Sequence, residues 1–232
     1  MRIFCRIALA CALPLLLSSC LLVPGKFTST LTVHADRSFT FSYQGEVIAS
    51  DPGEGMAVSG QGSEPEDKAA AEAKAKEKAG KARDREAKNR EIAVALAKEA
   101  GYRSVVYQGD GKFQVDYAVT GVLTTNFTYP FNSDAEVMVP FIAAEVRKDG
   151  TVRIKAPAFG KAGAQAPGAA QLPMMGEADN PAEGVFTLIT DAEVVMHNQE
   201  DGVKASGTGK TITWIVGALK KDAPTAVLRM KN

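Results

Sequence analysis

The chain has 232 residues, of which 45% are hydrophobic and 23% charged, and its 27 basic residues balance 27 acidic ones. This length is enough for one domain with a substantial core, and the charge balance gives no reason to expect a nucleic-acid partner. Two histidines and three cysteines, none at ligand spacing, predict neither a metal site nor a cofactor.

The first twenty residues have the layout of a secretory signal peptide. Arg2 and Arg6 precede an apolar run that ends at Leu17, and two serines separate this run from Cys20. The run has about a dozen residues, fewer than the ~20 that a membrane-spanning helix needs. We therefore expect residues 1–19 to be a signal peptide that is removed.

The segment Leu17-Ser18-Ser19-Cys20 resembles the bacterial lipobox, in which an aliphatic residue and two small residues precede a cysteine. The resemblance implies cleavage after Ser19, a diacylglyceryl group on Cys20 and a fatty acyl group such as palmitate on the new amino terminus. The alternative is an ordinary signal peptide with a coincidental cysteine. Cysteine usage fits lipidation, because Cys5 and Cys11 lie within the signal and the mature chain then keeps one thiol.

Lipidation at Cys20 would place the mature protein in the cell envelope, anchored to a membrane. In enteric bacteria an Asp after the lipidated cysteine favours the inner membrane, so Leu21 favours the periplasmic face of the outer membrane. Removal of residues 1–19 takes away Arg2 and Arg6 and no acidic residue, which leaves 25 basic against 27 acidic residues. That balance predicts no general attraction to anionic lipid.

The mature chain is predicted to begin with a lipidated tether, residues 20–26, followed by a single domain over residues 27–232. The domain starts with a β-hairpin, since residues 27–33 are rich in β-formers and residues 39–48 alternate apolar and polar side chains. Residues 51–63 are rich in Gly and Ser and are predicted to be a linker.

A long charged helix is predicted over residues 64–100. Ser63 and Glu66 form a capping box at its start, and pairs of acidic and basic residues four apart recur along it. Large apolar residues occur only near its end. Ile92 and Leu96 are therefore the candidate contacts of this helix with the rest of the domain or with a partner.

The remainder of the helix is predicted to be solvated, as a protruding arm or as one long helix. One alternative is a coiled-coil contact with a partner, against which the absence of an apolar heptad counts. Partial disorder is another. Binding to anionic lipid headgroups is also open, although the acidic residues that interleave with the lysines count against it.

Strands resume after the helix. Hairpins are predicted around the turns Gly109-Asp110-Gly111 and Lys148-Asp149-Gly150, with further strands over residues 186–196, 210–216 and 225–230. Strands and helices do not alternate along the chain. The predicted fold class is therefore α+β: a mostly antiparallel, curved sheet of about nine strands, with the long helix inserted after the first hairpin.

Residues 157–184 are predicted to be a flexible loop. It contains Leu172, Met174 and Met175 and little charge, which suits a lid over an apolar cavity or a loop that touches lipid. The alternative is a disordered loop of low complexity. No nucleophile elbow, P-loop or isolated pair of carboxylates occurs, so we assign no catalytic residue and do not expect an enzyme.

The layout resembles LppM-like bacterial lipoproteins and uncharacterised lipoproteins of alphaproteobacteria. The shared features are the lipobox, an early hairpin of the type Leu-Thr-Val…Phe-Thr-Phe (residues 31–41), and a late strand with Gly209 and Thr211-Ile-Thr-Trp214. The resemblance implies a curved sheet with a helix against it and binding of a lipid or glycolipid. It also implies Trp214 as a ligand contact, which packing within a strand explains equally well.

Three hypotheses for function follow. In the first, the protein is an envelope lipoprotein that binds a lipid or other amphiphile in a cavity between sheet and helix. In the second, it is a non-enzymatic envelope scaffold whose charged helix docks a partner protein. A hydrolase with unrecognised residues is a third, less supported reading.

Overall fold

The structure is a computed structural model that describes residues 21–50, 68–130, 140–160, 182–207, 209–217, 220 and 222–231. Within these ranges the chain forms twelve strands and one α-helix. The first elements are β1 (Leu21–Val33), β2 (Ser38–Ser50), α1 (Lys68–Leu96), β3 (Tyr102–Gly109), β4 (Lys112–Val122) and β5 (Phe127–Tyr129). The later strands are β6 (Ile142–Val146), β7 (Thr151–Lys155), β8 (Glu183–Thr190), β9 (Glu193–His197), β10 (Lys204–Ser206), β11 (Gly209–Val216) and β12 (Thr225–Arg229).

The strands form two sheets. Sheet A has seven strands in the order β10-β11-β8-β1-β2-β4-β3, and sheet B has five in the order β5-β6-β7-β12-β9. All neighbours are antiparallel except β1 and β8, which run parallel. The mostly antiparallel α+β class is confirmed, whereas the prediction of one sheet of about nine strands is wrong.

The chain passes between the sheets at a polar corner. The sequence predicts one strand over residues 186–196. In the structure β8 ends at Thr190, and β9 starts at Glu193 in the other sheet. The buried hydroxyl of Thr190 donates to the carbonyl of Val33 (2.6 Å) and accepts the N–H of Ala192 (3.0 Å). These bonds satisfy backbone groups that the break in the strand would leave unpaired.

Strand β1 starts at Leu21, so the prediction that residues 21–26 are a tether is wrong. Leu21 pairs with Ser50, and the pairing continues along both strands with a bulge after Pro24. Pro24 lacks an N–H, but β8 joins β1 only from Lys26 onwards, so the proline interrupts no pairing on that side. Among the described residues the pairing therefore extends to Leu21, the residue after Cys20.

The two predicted hairpin turns are confirmed. Gly109, Asp110 and Gly111 all have positive φ angles between β3 and β4, and Gly150 does so between β6 and β7. Asp149 fixes the second turn by accepting the N–H of Thr151 at 3.0 Å. Glycine adopts such angles without a steric cost, which is why the sequence marks both turns.

Other boundaries differ from the predicted ones at the ends of elements. The helix, predicted over residues 64–100, is described from Lys68 as α1 and ends at Leu96, after which residues 97–100 form turns; residues 64–67 lie outside the described residues. The first residues of the predicted loop, Pro157–Phe159, form a 3₁₀ turn that is buried. The predicted linker 51–63 and residues 161–181 of the loop lie outside the described residues.

Two glycines allow the strands beside β1 to approach it closely. Gly45 of β2 and Gly184 of β8 both lie in register with Phe27. A methyl group on Gly184 would collide with the carbonyl oxygen of Phe27, and one on Gly45 would lie 2.6 Å from its Cα. The centre of sheet A therefore depends on the absence of a side chain at both positions.

We predict that Gly184→Ala lowers the free energy of unfolding by about 1–3 kcal/mol, because the added methyl group forces β8 away from β1. Gly217→Ala is the matched control, since nothing lies within 4 Å of its added Cβ, and it should change stability by less than about 0.5 kcal/mol. Urea unfolding measures both. Equal stability of the two variants would contradict the tight packing of β8 on β1.

Candidate functional site

The space between the two sheets is the first candidate site, because binding of an amphiphile there requires a cavity. Aromatic rings from both sheets and from the 3₁₀ turn fill it instead. Phe27 stacks on Phe159 with 4.2 Å between ring centroids, and Phe41 lies 5.1 Å from Tyr129. Tyr43, Tyr117, Tyr129, Phe141, Phe159 and Phe186 continue the contacts.

These tyrosines are set in an environment that opposes ionisation. Burial, followed by the neighbouring Tyr117 and Glu99, raises the pKa of Tyr102 to about 12. Burial also raises the pKa of Tyr43, Tyr117 and Tyr129. Buried phenols that stay neutral contribute apolar area and ring contacts to the core, so this cluster is a packed core in the described part of the chain.

A cleft of about 430 Å³ opens on the outer side of sheet A, at the bulge in β1. Its lining includes Lys26, Gln44, Glu46, Gln114 and Glu183. Amide and carboxylate groups share this lining with apolar atoms, including those of Phe27, and the cleft is open to solvent. A cleft of this kind does not suit an acyl chain, which needs an apolar enclosure.

The structure places Trp214 in the core at the edge of sheet A. Its indole stacks on Phe186 with 5.4 Å between ring centroids, and its N–H donates to Asn198 Oδ1 at 3.0 Å. It is 7% exposed. These contacts account for Trp214 structurally, and a role as ligand contact stays a prediction. Cys20 and the predicted lid residues Leu172, Met174 and Met175 lie outside the described residues.

The C-terminal part of α1, residues 86–96, packs against β3, and we call it the helix root. Ile92 and Leu96 are partly buried there, as expected, whereas the third large apolar residue of the root, Val94, is exposed. The most buried residues of the root are ones that the sequence did not single out: Asn89 is 2% and Ala93 7% exposed. The root therefore packs through small and polar side chains as well as apolar ones.

A cluster of hydrogen bonds around Tyr107, which we call the latch, joins the helix root to the turn between β3 and β4. The Tyr107 hydroxyl donates to Glu86 Oε1 (2.6 Å) and accepts the Asn89 amide (3.3 Å) and the N–H of Gly111 (3.1 Å). Glu86 Oε1 also accepts the N–H of Asp110 at 3.2 Å. The latch ties two points of α1 to the hairpin turn and so fixes the direction of the helix.

Residues 68–85, which we call the helical arm, extend beyond this latch. At 1.5 Å per residue they span about 27 Å. Residues 75–81 are all exposed, so this part of α1 does not pack on the body of the domain. The arm is a continuous extension of the helix root.

The arm leaves the domain at the end of sheet A where β1 begins. Glu86 contacts the β3–β4 turn, and Gly111 of that turn accepts the N–H of Ala49 at 2.8 Å. Ala49 in turn pairs with Leu22. Neighbouring strands lie about 4.8 Å apart, so the latch and the first residue of β1 are separated by little more than the width of four strands.

Other kinds of site are not found in the described ranges. No group of three or more His, Cys, Asp or Glu side chains there is placed to hold a metal ion. No helix among those residues is long and apolar enough to cross a membrane. His34 lies 3.7 Å from Asp191, and both side chains are about half exposed at a turn.

Comparison with known proteins gives no family for the chain. No family model matches, and no curated protein matches it. A solved structure similar to this one is the folded domain of the Mycobacterium tuberculosis LppM protein, at 14% identity and a TM-score of 0.31, covering 91% of this chain and 93% of that one. The M1 zinc metallopeptidase of Deinococcus radiodurans has 10% identity and a TM-score of 0.30, over 90% of this chain and 42% of that one.

We predict that alkaline pH destabilises the fold as the core tyrosines ionise. The unfolded chain releases their protons near pH 10, whereas the folded chain keeps Tyr102 protonated up to about pH 12. The stabilisation is complete below about pH 10 and is lost as the pH rises towards 12. Tyrosinate absorbance and circular dichroism, followed together, should change in one transition. Ionisation of most tyrosines near pH 10 with the fold intact would contradict this.

We predict that Tyr107→Phe loosens the helix root, because Asn89 and Glu86 lose a buried partner at a cost of about 1–3 kcal/mol. Amide hydrogen exchange should quicken over residues 86–96 while β1 and β8 stay protected. Tyr102→Phe is the control, since the Tyr102 hydroxyl has no hydrogen-bond partner among the described residues. Unchanged protection of the root in Tyr107→Phe would show that the latch does not hold the helix.

Proposed function

We propose that the protein is a lipid-anchored, non-enzymatic interaction protein of the cell envelope, whose two-sheet body holds the helical arm out as a docking element. The observation that carries this proposal is the contrast within α1. Its root is fixed by the latch and by buried Asn89 and Ala93, while residues 75–81 are exposed. A helix held at one end presents its other end at a defined place.

Residues 75–81 of the arm are all exposed, so the stability of this part of the helix has to come from the helix itself. Residues of high helix propensity and pairs such as Glu77 and Lys81, whose charged atoms are 2.7 Å apart, supply it. Such a helix differs from a solvated tail because its direction relative to the body is fixed. A fixed direction presents the arm at a defined place to whatever binds it, and this supports a docking role.

The position at which β1 starts supports a lipid anchor that holds the body, and with it the arm, close to the membrane. If Cys20 carries the lipid, no slack chain separates it from Leu21, the first paired residue. The body then lies within one or two residues of the headgroup layer, or roughly 3.5–7 Å. Because the arm leaves from this end of sheet A, the arm lies close to the same membrane.

Binding of an amphiphile is a second candidate, carried by the ends of the predicted loop. Phe159 and Ala182, on either side of that loop, are 1% and 2% exposed. A lipid bound by Leu172, Met174 and Met175 would have to lie outside the described space between the sheets, because that space is filled. Native mass spectrometry of the protein with a lipid extract tests this: bound lipid supports it, and uptake of none rules it out.

Photocrosslinking in cells tests the docking function. A photoreactive amino acid replaces Lys78 in the exposed arm, and a matched position, Lys148, lies in the turn between β6 and β7 at the other end of the body. We expect adducts with envelope components from position 78 and few from position 148. Cys20→Ser should release the protein from membranes washed with about 500 mM salt, which screens electrostatic binding, whereas the lipid-anchored protein should stay. Equal labelling from positions 78 and 148 would overturn the docking role, and retention of Cys20→Ser in the salt-washed membranes would overturn the anchor.

A further inference from the structure

From the charge and position of the helical arm we infer what it binds: we propose that it docks on the anionic headgroup surface of the membrane that holds the lipid anchor. This inference rests on the proposed docking function and names its target. It does not follow from the net charge of the mature chain, which is slightly negative. It follows from how the charge is distributed.

Positive charge is concentrated in the arm. Residues 68–85 contain seven basic and three acidic residues, a net charge of about +4, although the chain from residue 20 onward has fewer basic than acidic residues. The rest of the mature chain is therefore negative, at about −6. A molecule polarised in this way presents its arm to an anionic surface and is repelled by it elsewhere.

Part of this charge is aligned along the helix, which its order along the chain conceals. Four of the seven basic residues of the arm recur at spacings of four, three and four, which places them on one line within roughly a quarter of the helix circumference. This basic line is Lys74, Lys78, Lys81 and Arg85, and the other three basic residues lie on the far side of the helix. Glu77 and Asp84 follow a line displaced by roughly 80°, and Glu77 pairs with Lys81 at 2.7 Å. The acidic residues therefore flank the basic line rather than interrupt it.

The arm lacks the apolar side chains by which a helix usually binds another protein. Residues 68–85 contain no apolar residue larger than Ala. Protein interfaces draw most of their energy from a few buried aromatic, aliphatic or Arg anchors, of which the arm has only Arg83 and Arg85, and a coiled coil needs an apolar heptad. A diffuse anionic surface needs neither, because each Lys or Arg near it adds its own electrostatic contribution.

The same composition sets how the arm binds. Its apolar residues favour no side of the helix, so it has no face to insert between lipid chains. Its charged side chains are costly to bury in hydrocarbon. The arm therefore lies along the headgroups, and its binding is electrostatic and sensitive to salt.

The geometry of the latch gives this contact a consequence for the whole molecule. The arm and the first residue of β1 leave the same end of sheet A, so the lipid anchor and the arm reach the membrane together. The anchor is one point and the arm a line of about 27 Å. Together they fix the tilt and rotation of the body, which a lipid anchor alone leaves free.

Vesicle flotation tests the inference, with the chain from Leu21 onward, which contains every strand and helix that the structure describes. We expect at least tenfold more protein on vesicles of phosphatidylcholine with 30% phosphatidylglycerol than on phosphatidylcholine alone, at about 50 mM salt. Binding should be lost at about 500 mM salt, where the Debye length falls to a few ångströms. Equal binding to both vesicles, or binding that salt does not affect, would overturn the inference.

A matched pair of variants assigns the binding to the arm. Lys78→Gln, Lys81→Gln and Arg85→Gln together remove three charges from the basic line, and should lower the vesicle partition coefficient by roughly 100-fold. Arg147→Gln, Lys148→Gln and Lys231→Gln together remove the same charges from exposed positions at the opposite end and should leave binding unchanged. Unaltered circular dichroism shows that both variants fold. Equal effects of the two triple variants would contradict a role for the arm.

Failure of this inference and failure of the docking function are distinguishable. If the arm crosslinks to an envelope protein in cells but does not bind anionic vesicles, the docking function stands and the bilayer as its target is wrong. If position 78 gives no more adducts than position 148 and vesicles bind no protein, both are wrong.

Discussion

The pairing of β1 on both sides is the constraint on which the rest of the structure depends. This strand is the fourth of seven in sheet A, antiparallel to β2 and parallel to β8. Gly45 and Gly184 allow β2 and β8 to approach β1 closely at Phe27. The other strands of sheet A pair in turn with these two, out to β3 on one side and β10 on the other. Because pairing with β2 starts at Leu21, this strand also brings the body of the protein up to the predicted lipid anchor.

The features that sequence predicts well are those with a local physical cause. Both hairpin turns are marked by glycines whose positive φ angles other residues rarely adopt, and the helix is marked by its composition. The features that it misses depend on distant residues. The parallel pairing of β1 with β8 joins segments more than 150 residues apart, and the polar corner at Thr190 bonds to Val33 from the same distance. Neither the parallel pairing nor this hydrogen bond leaves a periodic pattern in the sequence.

The candidate site likewise has parts that the sequence predicts and parts that it misses. Propensity and charge pairing predict a solvated arm, and Ile92 and Leu96 mark the part of the helix that packs. The latch is invisible to those arguments, because Glu86 and Asn89 in a charged helix look like solvated residues until Tyr107 is placed beside them. Likewise the predicted tether over residues 20–26 misses the extension of β2 to Ser50, which pairs with the chain there. The latch and the pairing of residues 21–26 together determine that the arm leaves from the end of the sheet where β1 begins. The inference about the membrane depends on this position.

The central claim is that the latch holds the arm out from the end of the body at which β1 begins. The chain after Cys20 has no cysteine, so spin-label pairs can be introduced as Lys76→Cys with Lys112→Cys, and as Lys76→Cys with Lys148→Cys. Pulsed dipolar spectroscopy should give a narrow distance of roughly 20 Å for the first pair, from the helical rise between residue 76 and the latch. The second pair should be longer by about 30 Å, the length of a strand of sheet A. Broad or equal distributions for the two pairs would show that the arm has no fixed direction and would contradict the account.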